Sequence, residues 1–188
     1  MSSGDRKVSK ARTKLLDTAT RIFYAEGVNA VGIDRVIDEA GVTRATLYRH
    51  FPSKQNLITT YIEEADRSIR EHTGTLTSSG LPPADAVRAV AEDIAGNIRS
   101  SYFRGCAFLN AAAEFPDPDD PIHRAVLAHR QWFLEVMLDL FKQVGGDDAD
   151  DAGRRFVMLR DGAMAAGCLS DPEAVCRTFL RGVEALLP

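Results

Sequence analysis

Apolar residues recur at intervals of three and four along most of the chain, which is the period of a helix that buries one face. Breaks that contain Gly and Pro separate the segments of this kind. Runs of alternating β-branched residues between turns, the pattern typical of strands, are not found. The pattern predicts an all-α protein of about nine helices. Its fourth helix is expected to end near Glu71, before a loop rich in Gly, Ser, Thr and Pro at residues 72–83.

The segment Ile33–Phe51 has the pattern of a helix-turn-helix. Apolar residues at helical spacing are followed by Gly41, which permits the left-handed turn that ends a helix. A second helix follows at once, with Thr43 as its N-cap and Pro52 beyond its end. Two helices joined by a tight glycine turn form the unit that places its second helix in a DNA major groove. With a first helix over about residues 9–25, they are expected to enclose a small core of Leu15, Phe23, Val36, Leu47 and Phe51.

The second helix of this unit carries a polar face without an acidic residue. Arg44 lies in its first turn, where a recognition helix meets base edges, and an arginine there can bind guanine O6 and N7. Lys54 opens the next helix, whose N-terminus can hold a phosphate. The alternative interpretation is a solvated basic face on a helical hairpin. The agreement between the turn and the donors favours DNA binding by Thr43, Arg44, Ala45, Thr46, Tyr48, Arg49, His50 and Lys54.

From Leu15 to Leu57 the chain resembles the TetR family of transcriptional regulators. The shared features are a long first helix, a turn of the AEG type, a helix that ends in AGV, the segment TRATLYRHF, and a fourth helix introduced by PSKQNL. Gly32 stands where the family usually has Ser or Thr as the cap of the second helix. The resemblance implies a homodimer that binds a near-palindromic double-stranded DNA operator. It also implies a small-molecule effector that shifts the fourth helix and changes the spacing of the two recognition helices.

Charge is distributed unequally along the chain. The formal net charge is −4, but residues 1–54 carry +4 and residues 55–188 carry −8. Because phosphate contacts supply most non-specific affinity for DNA, this asymmetry fits a DNA-binding unit attached to a second unit. We therefore predict a helix-turn-helix DNA-binding domain at residues 1–54, called the head, and a helical ligand-binding and dimerisation domain at residues 55–188, called the body. The polar N-terminus, with Arg6 and Lys7, is expected to reach along the DNA.

Composition also bears on location and on metal binding. No apolar run approaches the ~18 residues of a membrane span, and the N-terminus lacks the apolar core of a signal peptide, which predicts a cytoplasmic protein with no membrane partner. Cys106, Cys168 and Cys176 lie in apolar helical patterns and are expected to be reduced thiols of the core. The cysteines and histidines do not have the spacing of a zinc site, and no cofactor is predicted.

The sixth and seventh helices contain the candidate ligand-binding residues. Asn110 and Glu114 are four residues apart and share a helix face, where they either anchor a ligand or bond to a neighbouring helix. Apolar and aromatic residues recur at helical spacing over residues 122–140, and they either fill the core or form the wall of a pocket. The pocket interpretation predicts a small, largely apolar effector bound by Phe103, Phe108, Asn110, Glu114, His129, Trp132, Phe133 and Met137.

The last two helices have more apolar surface than one small core requires. Small residues between Arg160 and Ser170 would let another helix approach closely, and a wide apolar face extends from Val175 to Leu187. We predict that two chains pair through these helices as a four-helix bundle. The predicted interface residues are Gly162, Ala166, Phe179, Val183 and Leu186.

Together these features favour a ligand-responsive transcriptional regulator, a dimeric repressor that a small apolar effector releases from its operator. An enzyme is disfavoured because the chain lacks a Gly-rich phosphate loop, a nucleophile elbow and metal-ligand spacing. A helical interaction module with an inactive head is the other alternative. It differs by predicting no salt-dependent DNA binding.

Overall fold

The computed structural model describes residues 9–188, so the arm expected at the N-terminus lies outside the described residues. Within that range the chain forms nine α-helices and no strand, which confirms the all-α prediction. None of these helices is both long enough and apolar enough to span a membrane. The helices are α1 (Lys10–Glu26), α2 (Ile33–Ala40), α3 (Arg44–His50), α4 (Lys54–Thr77), α5 (Pro83–Ile98), α6 (Ala107–Glu114), α7 (Pro121–Val144), α8 (Ala149–Ala166) and α9 (Pro172–Glu184).

Helices α1, α2 and α3 enclose the small core expected for the head. Gly41 ends α2 with a φ of 58°, a left-handed conformation that glycine adopts without steric cost. The hydroxyl of Thr43 caps α3 by accepting a hydrogen bond from the Thr46 N–H at 3.1 Å. The predicted core is confirmed, since each member is at most 2% exposed: Leu15, Phe23, Val36, Leu47 and Phe51.

Helix α4 extends to Thr77, so the predicted end at Glu71 is wrong. Thr73 is buried, and Leu76 packs against the hydrophobic core. The hydroxyl of Thr75 donates to the carbonyl of Glu71 at 3.0 Å, one turn earlier in the same helix. The tertiary packing of Thr73 and Leu76, together with this local hydrogen bond, outweighs the weak helix propensity of the Gly and Thr residues in this segment. Because α4 contacts both α1 and α7, it joins the head to the body.

The body is built around α7, which contacts α4, α5, α6 and α8. Its first turn follows the predicted pattern, since the Asp120 carboxylate accepts from the Ile122 N–H at 2.7 Å and Pro121 occupies the first helical position. Phe156 of α8 is fully buried at the centre of the core. Its ring lies 6.2 Å from that of Phe141 and 6.0 Å from that of Phe179, so aromatic contacts connect α7, α8 and α9.

The three cysteines do not share one environment. Cys106 and Cys176 are buried, as predicted, but Cys168 is exposed. The prediction was wrong for Cys168 because α8 ends at Ala166. Beyond the end of the helix, the helical spacing of apolar residues no longer predicts which side chains are buried.

Candidate functional site

The exposed surface of α3 contains the polar residues predicted to contact DNA. Leu47 is the one residue of α3 whose side chain is buried, so it holds the helix against the head while the rest of the surface stays accessible. Arg44, Ala45, Tyr48 and Arg49 are exposed, with Tyr48 at 42%. The remaining predicted contacts lie beside them, with Thr43 exposed and Thr46, His50 and Lys54 half-buried.

Arg44 forms an ion pair with Asp34 of α2. Both side chains are largely exposed to solvent. A pair of this kind is worth roughly 0–1 kcal/mol, because water screens the attraction and two long side chains lose freedom. The guanidinium can therefore exchange Asp34 for a base edge or a phosphate at small cost.

The start of α4 continues this basic surface. The Ser53 hydroxyl caps the helix by accepting from the Asn56 N–H at 3.0 Å. Lys54 lies in the first turn, where burial lowers the pKa of its ammonium and the nearby Glu114 carboxylate partly restores it. Ser53 and Lys54 thus form the edge of the α3 surface nearest the body.

Two contacts attach α6 to the head, one at each end of the helix. The Glu114 carboxylate accepts hydrogen bonds from the Val28 N–H at 3.2 Å and from the Asn29 N–H at 2.7 Å, in the turn between α1 and α2. Near the other end, the Tyr24 hydroxyl of α1 donates to the Gly105 carbonyl at 2.9 Å and accepts from the Arg104 N–H at 2.9 Å. Movement of α6 would therefore act directly on α1 and on the turn that follows it.

A cavity of about 370 Å³, called the junction cavity, lies between these two contacts. Its walls come from α1, α4 and α6 and include Tyr24, Tyr61 and Arg104. Two of the predicted ligand-binding residues, Asn110 and Glu114, line it. Both also make hydrogen bonds within the protein, since the Asn110 amide donates to the Arg104 carbonyl at 2.9 Å and Glu114 binds the head. Asn110 and Glu114 therefore both line a cavity and make structural hydrogen bonds, so the fold is compatible with either interpretation of this pair.

A second cavity of about 260 Å³, called the body cavity, lies among α4, α5, α6 and α8. Phe108 is the one predicted ligand-binding residue on its wall, where it lies with Cys106, Asn97 and Arg160. The other predicted aromatic and Met residues line neither cavity. Phe103 is 8% exposed, and Phe133 and Met137 are buried in the core, while Trp132 packs against it half-buried. The interpretation as core packing accounts for these four side chains.

His129 is buried beneath the body cavity in contact with Phe108. Its ring stacks on Phe108 at a centroid distance of 3.5 Å, and its Nδ1 lies 2.7 Å from an Asp66 oxygen. The other Asp66 oxygen accepts from Nε of Arg70 at 2.7 Å. Burial lowers the pKa of His129 to about 4, against the opposing effect of Asp66. His129 is therefore neutral at physiological pH and is held in place by α4.

Arg160 is a buried charge that the sequence analysis did not identify. It is 7% exposed and donates to Asp161 at 2.8 Å and to the Cys106 sulfur at 3.4 Å. Burial acts to lower its pKa, but Cys106 and Asp161 outweigh burial and raise it. Arg130 also donates to Asp161, at 2.6 Å. In the sequence, Arg160 is visible only as an arginine among small and apolar residues of α8. This pattern does not indicate which neighbouring helix the side chain contacts.

An exposed apolar groove of about 380 Å³ runs between α8 and α9. Three predicted interface residues, Gly162, Ala166 and Phe179, line it, together with Met158, which is 74% exposed. Val183 and Phe179, both predicted at the interface, are only 1% and 3% exposed, so most of each side chain packs in the core of its own protomer. The apolar face of α9 points inward, so the accessible apolar surface belongs mainly to α8.

Leu186 was also predicted at the interface. It lies beyond the end of α9 and packs half-buried against the core. Met158 was not among the predicted interface residues. It lies on the face of α8 opposite Phe156, and the sequence does not show which of these two faces is exposed.

Comparison with known proteins shows which family this chain resembles. The family model for bacterial regulatory proteins of the tetR family matches residues 15–60, which contain α3 and its surroundings. The HTH-type transcriptional regulator Rv1255c of Mycobacterium tuberculosis is 28% identical over 171 residues, 78% of this chain and 82% of that protein. The HTH-type transcriptional regulator LmrA of Bacillus subtilis is 27% identical over 148 residues, 77% of this chain and 76% of that protein.

A solved structure extends the similarity to the body. SCO4454, a TetR-family transcriptional regulator from Streptomyces coelicolor, is 61% identical and superposes with a TM-score of 0.91 over 94% of this chain and 93% of that chain. Identity at this level over nearly the whole length includes both the α3 surface and the helices that carry the cavities. The chain therefore belongs to the TetR family and is a DNA-binding transcriptional regulator, not an enzyme.

Proposed function

We propose that this protein is a homodimeric, effector-responsive repressor that binds a near-palindromic operator in the cytoplasm and leaves it when a small, largely apolar molecule enters the body. In this proposal residues 1–54 bind DNA and residues 55–188 carry dimerisation and effector binding. The observation that carries the proposal is the α3 surface, where Arg44, Tyr48 and Arg49 are exposed on a helix that the buried Leu47 holds against the head. An exposed basic helix on a rigid three-helix head has the geometry needed to enter a major groove.

The first experiment is selection of tight-binding duplexes from random DNA, followed by titration of the selected sequence at two salt concentrations. We expect an enriched palindrome whose affinity falls steeply with salt, because phosphate contacts release counterions. Absence of enrichment with folded protein would contradict the proposal and favour an interaction module with an inactive head.

Two substitutions then separate base contacts from phosphate contacts. Arg44→Ala should cost about 1–3 kcal/mol of operator binding and relax preference at one base pair in each half-site. Lys54→Ala should weaken binding to all sequences similarly and reduce the salt dependence. If Arg44→Ala binds the operator as tightly and as selectively as the unmodified protein, Arg44 does not read a base.

The groove between α8 and α9 supports the proposed dimer. Its lining residues are small or apolar, and one of them, Met158, is 74% exposed. Glycine and alanine at Gly162 and Ala166 leave room for a second helix, since a Cβ on Gly162 would meet no atom of its own chain within 4 Å. Pairing two such surfaces would remove this apolar area from water.

Sedimentation equilibrium tests the dimer. Met158→Glu places a charge in the groove and is expected to shift the protein from dimer to monomer, since an unpaired charge is costly to bury. Leu127→Glu is the matched control, because Leu127 is 50% exposed on α7 and does not line the groove. A dimer that persists in Met158→Glu would place the interface elsewhere.

The two contacts between α6 and the head support control by an effector. An effector can shift the DNA-binding equilibrium only if it binds the two conformations with different affinity. Because the junction cavity lies between the Tyr24 and Glu114 contacts, and the body cavity lies beside Gly105 and Cys106, a molecule in either cavity would meet α6 where it holds α1. By linkage, operator DNA would weaken effector binding by the same factor.

A further inference from the structure

A further cavity of about 370 Å³ lies next to the junction cavity and shares Tyr24, Tyr61 and Arg104 with it. Its wall is formed by α1 of the head, by α4 and by the segment that leads into α6. Among the described residues this wall contains three tyrosines, two arginines and no acidic side chain. We call it the tyrosine cavity, after Tyr24, Tyr61 and Tyr102. Its volume lies within the roughly 300–1,000 Å³ typical of pockets for small ligands.

The Tyr61 hydroxyl is a buried polar group without a protein partner. Tyr61 is 4% exposed, and its hydroxyl makes no hydrogen bond within residues 9–188. Since no fully enclosed side-chain oxygen in that range lacks a partner, this hydroxyl borders open space, and Tyr61 lines both the junction cavity and the tyrosine cavity. Burial raises the pKa of the hydroxyl, so it stays protonated and can donate. It therefore requires an acceptor that the described part of the protein does not supply.

Arg104 is the second group of the wall that is left without a strong partner. The Tyr24 hydroxyl already donates one hydrogen bond and accepts another, and Arg21 forms an ion pair with Glu39 of α2. The guanidinium of Arg104 donates to the Phe103 carbonyl at 2.7 Å and forms no ion pair with any described residue. A positive charge with free N–H donors thus lies beside the tyrosine cavity.

The rest of the wall is aromatic or small. Tyr102 is 83% exposed, so it presents an aromatic ring at the edge of the cavity, whereas Tyr24 is half-buried within it. Three alanines complete the apolar part of the wall: Ala25, Ala65 and Ala107. Small side chains between aromatic rings leave room for a flat molecule, which the rings can contact by stacking or by their edges.

We propose that the tyrosine cavity is a binding site for small aromatic carboxylates. The Arg104 guanidinium binds the carboxylate, whose two oxygens match its parallel N–H donors. The Tyr61 hydroxyl donates to a ligand oxygen, and Tyr24 and Tyr102 contact the ring. Such a ligand touches α1 and the segment before α6 at once, and so acts where the head is attached to the body. Its role as an effector rests on the function proposed above.

Isothermal titration calorimetry of the full chain with para-hydroxybenzoate tests the site. We expect saturable binding of one molecule per protomer. Arg104→Gln should weaken binding about tenfold, because it removes the partner of the carboxylate. Arg21→Gln is the matched control and should change the affinity little, since that guanidinium is already paired with Glu39. Tyr61→Phe should weaken binding about fivefold but leave the unfolding midpoint of the ligand-free protein unchanged, because its hydroxyl bonds nothing in the described protein.

The neutral analogue para-hydroxybenzamide separates charge from shape. It should bind the unmodified protein more weakly than the carboxylate does, and Arg104→Gln should not weaken it further. Absence of saturable carboxylate binding would overturn the proposed site. Equal weakening by Arg104→Gln and Arg21→Gln, or equal affinity for the carboxylate and the amide, would overturn it as well.

Operator binding tests the effector role separately. Saturating para-hydroxybenzoate should weaken binding to the selected operator about fivefold or more in the unmodified sequence but not in Arg104→Gln, because the ligand fixes α1 relative to α6. Ligand binding with unchanged operator affinity would overturn the effector role and leave the site in place. Failure to select any operator without ligand would refute the proposed function, and calorimetry would still decide the binding site.

Discussion

Acidification from pH 7.5 to pH 5 should destabilise the folded protein by about 2 kcal/mol through His129 alone. The folded-state pKa of His129 is lowered to about 4, mainly because its ring is buried, and Arg160 and Arg70 add repulsion. In the unfolded chain the imidazole titrates near its ordinary value of about 6.5. Between these two values the unfolded state binds a proton that the folded state does not, so stability is present above pH 6.5 and is lost as pH falls.

The magnitude follows from the separation of the two pKa values. One pKa unit corresponds to about 1.4 kcal/mol, so the full loss below pH 4 is about 3 kcal/mol. At pH 5 the imidazole is mostly protonated in the unfolded chain and mostly neutral in the folded protein. The free energy of unfolding is therefore lower at pH 5 than at pH 7.5 by about 2 kcal/mol. This is a large fraction of the roughly 5–15 kcal/mol by which a typical domain is stable.

Urea unfolding at pH 7.5 and pH 5, at one protein concentration, measures this difference. His129→Asn removes the titrating group, so its loss of stability over the same interval should be smaller than that of the unmodified protein by about 2 kcal/mol. An NMR titration of the His129 ring gives the folded-state pKa directly. A folded-state pKa above 6.5 would refute this prediction, because the ion pair with Asp66 would then outweigh burial and acidification would add stability through His129.

The remaining predictions concern packing and the link between head and body. Glu114→Ala removes the acceptor of two backbone N–H groups and should cost about 1–2 kcal/mol, with faster hydrogen exchange at Asn29, whereas Glu114→Gln keeps one acceptor and should cost less. If Asn29 exchanged at the same rate in Glu114→Ala and in Glu114→Gln, the Glu114 carboxylate would not be what holds the turn between α1 and α2. Gly153→Ala should be destabilising in thermal unfolding, because its Cβ would lie 3.1 Å from the backbone of α7. Gly96→Ala, which meets nothing within 4 Å, should instead stabilise α5 by about 0.5–1 kcal/mol, and an opposite order of the two would contradict the packing argument.

The head could be predicted almost completely from the sequence because its determinants are local. Gly41 and Thr43 lie two residues apart and fix the turn and the cap by their own backbone and side-chain chemistry. The apolar spacing over α1, α2 and α3 identified the buried residues, since short helices in a small head have one face available for the core. The residues of α3 that do not belong to this core form its exposed surface, and their basic character is visible in the sequence.

The body was predicted as helices, but the direction of individual side chains was not. A stripe such as that of α9 can face its own protomer or a second chain, and only the burial of Phe179 and Val183 decides between them. The end of α4 is a similar case, since contacts made by Thr73 with distant parts of the chain maintain a helix that local propensity would end.

The sequence by itself determined the helical class, the helix-turn-helix and the basic character of the α3 surface, because these depend on residues near each other in the chain. Tertiary structure alone decided the contacts that join Tyr24 to Gly105, Glu114 to the turn after α1, and Arg160 to Cys106. The partners in each case are more than 50 residues apart. Helical periodicity shows which residues share a helix face, but only the packing of the helices determines which faces are in contact. The proposed control of DNA binding depends on these contacts between helices.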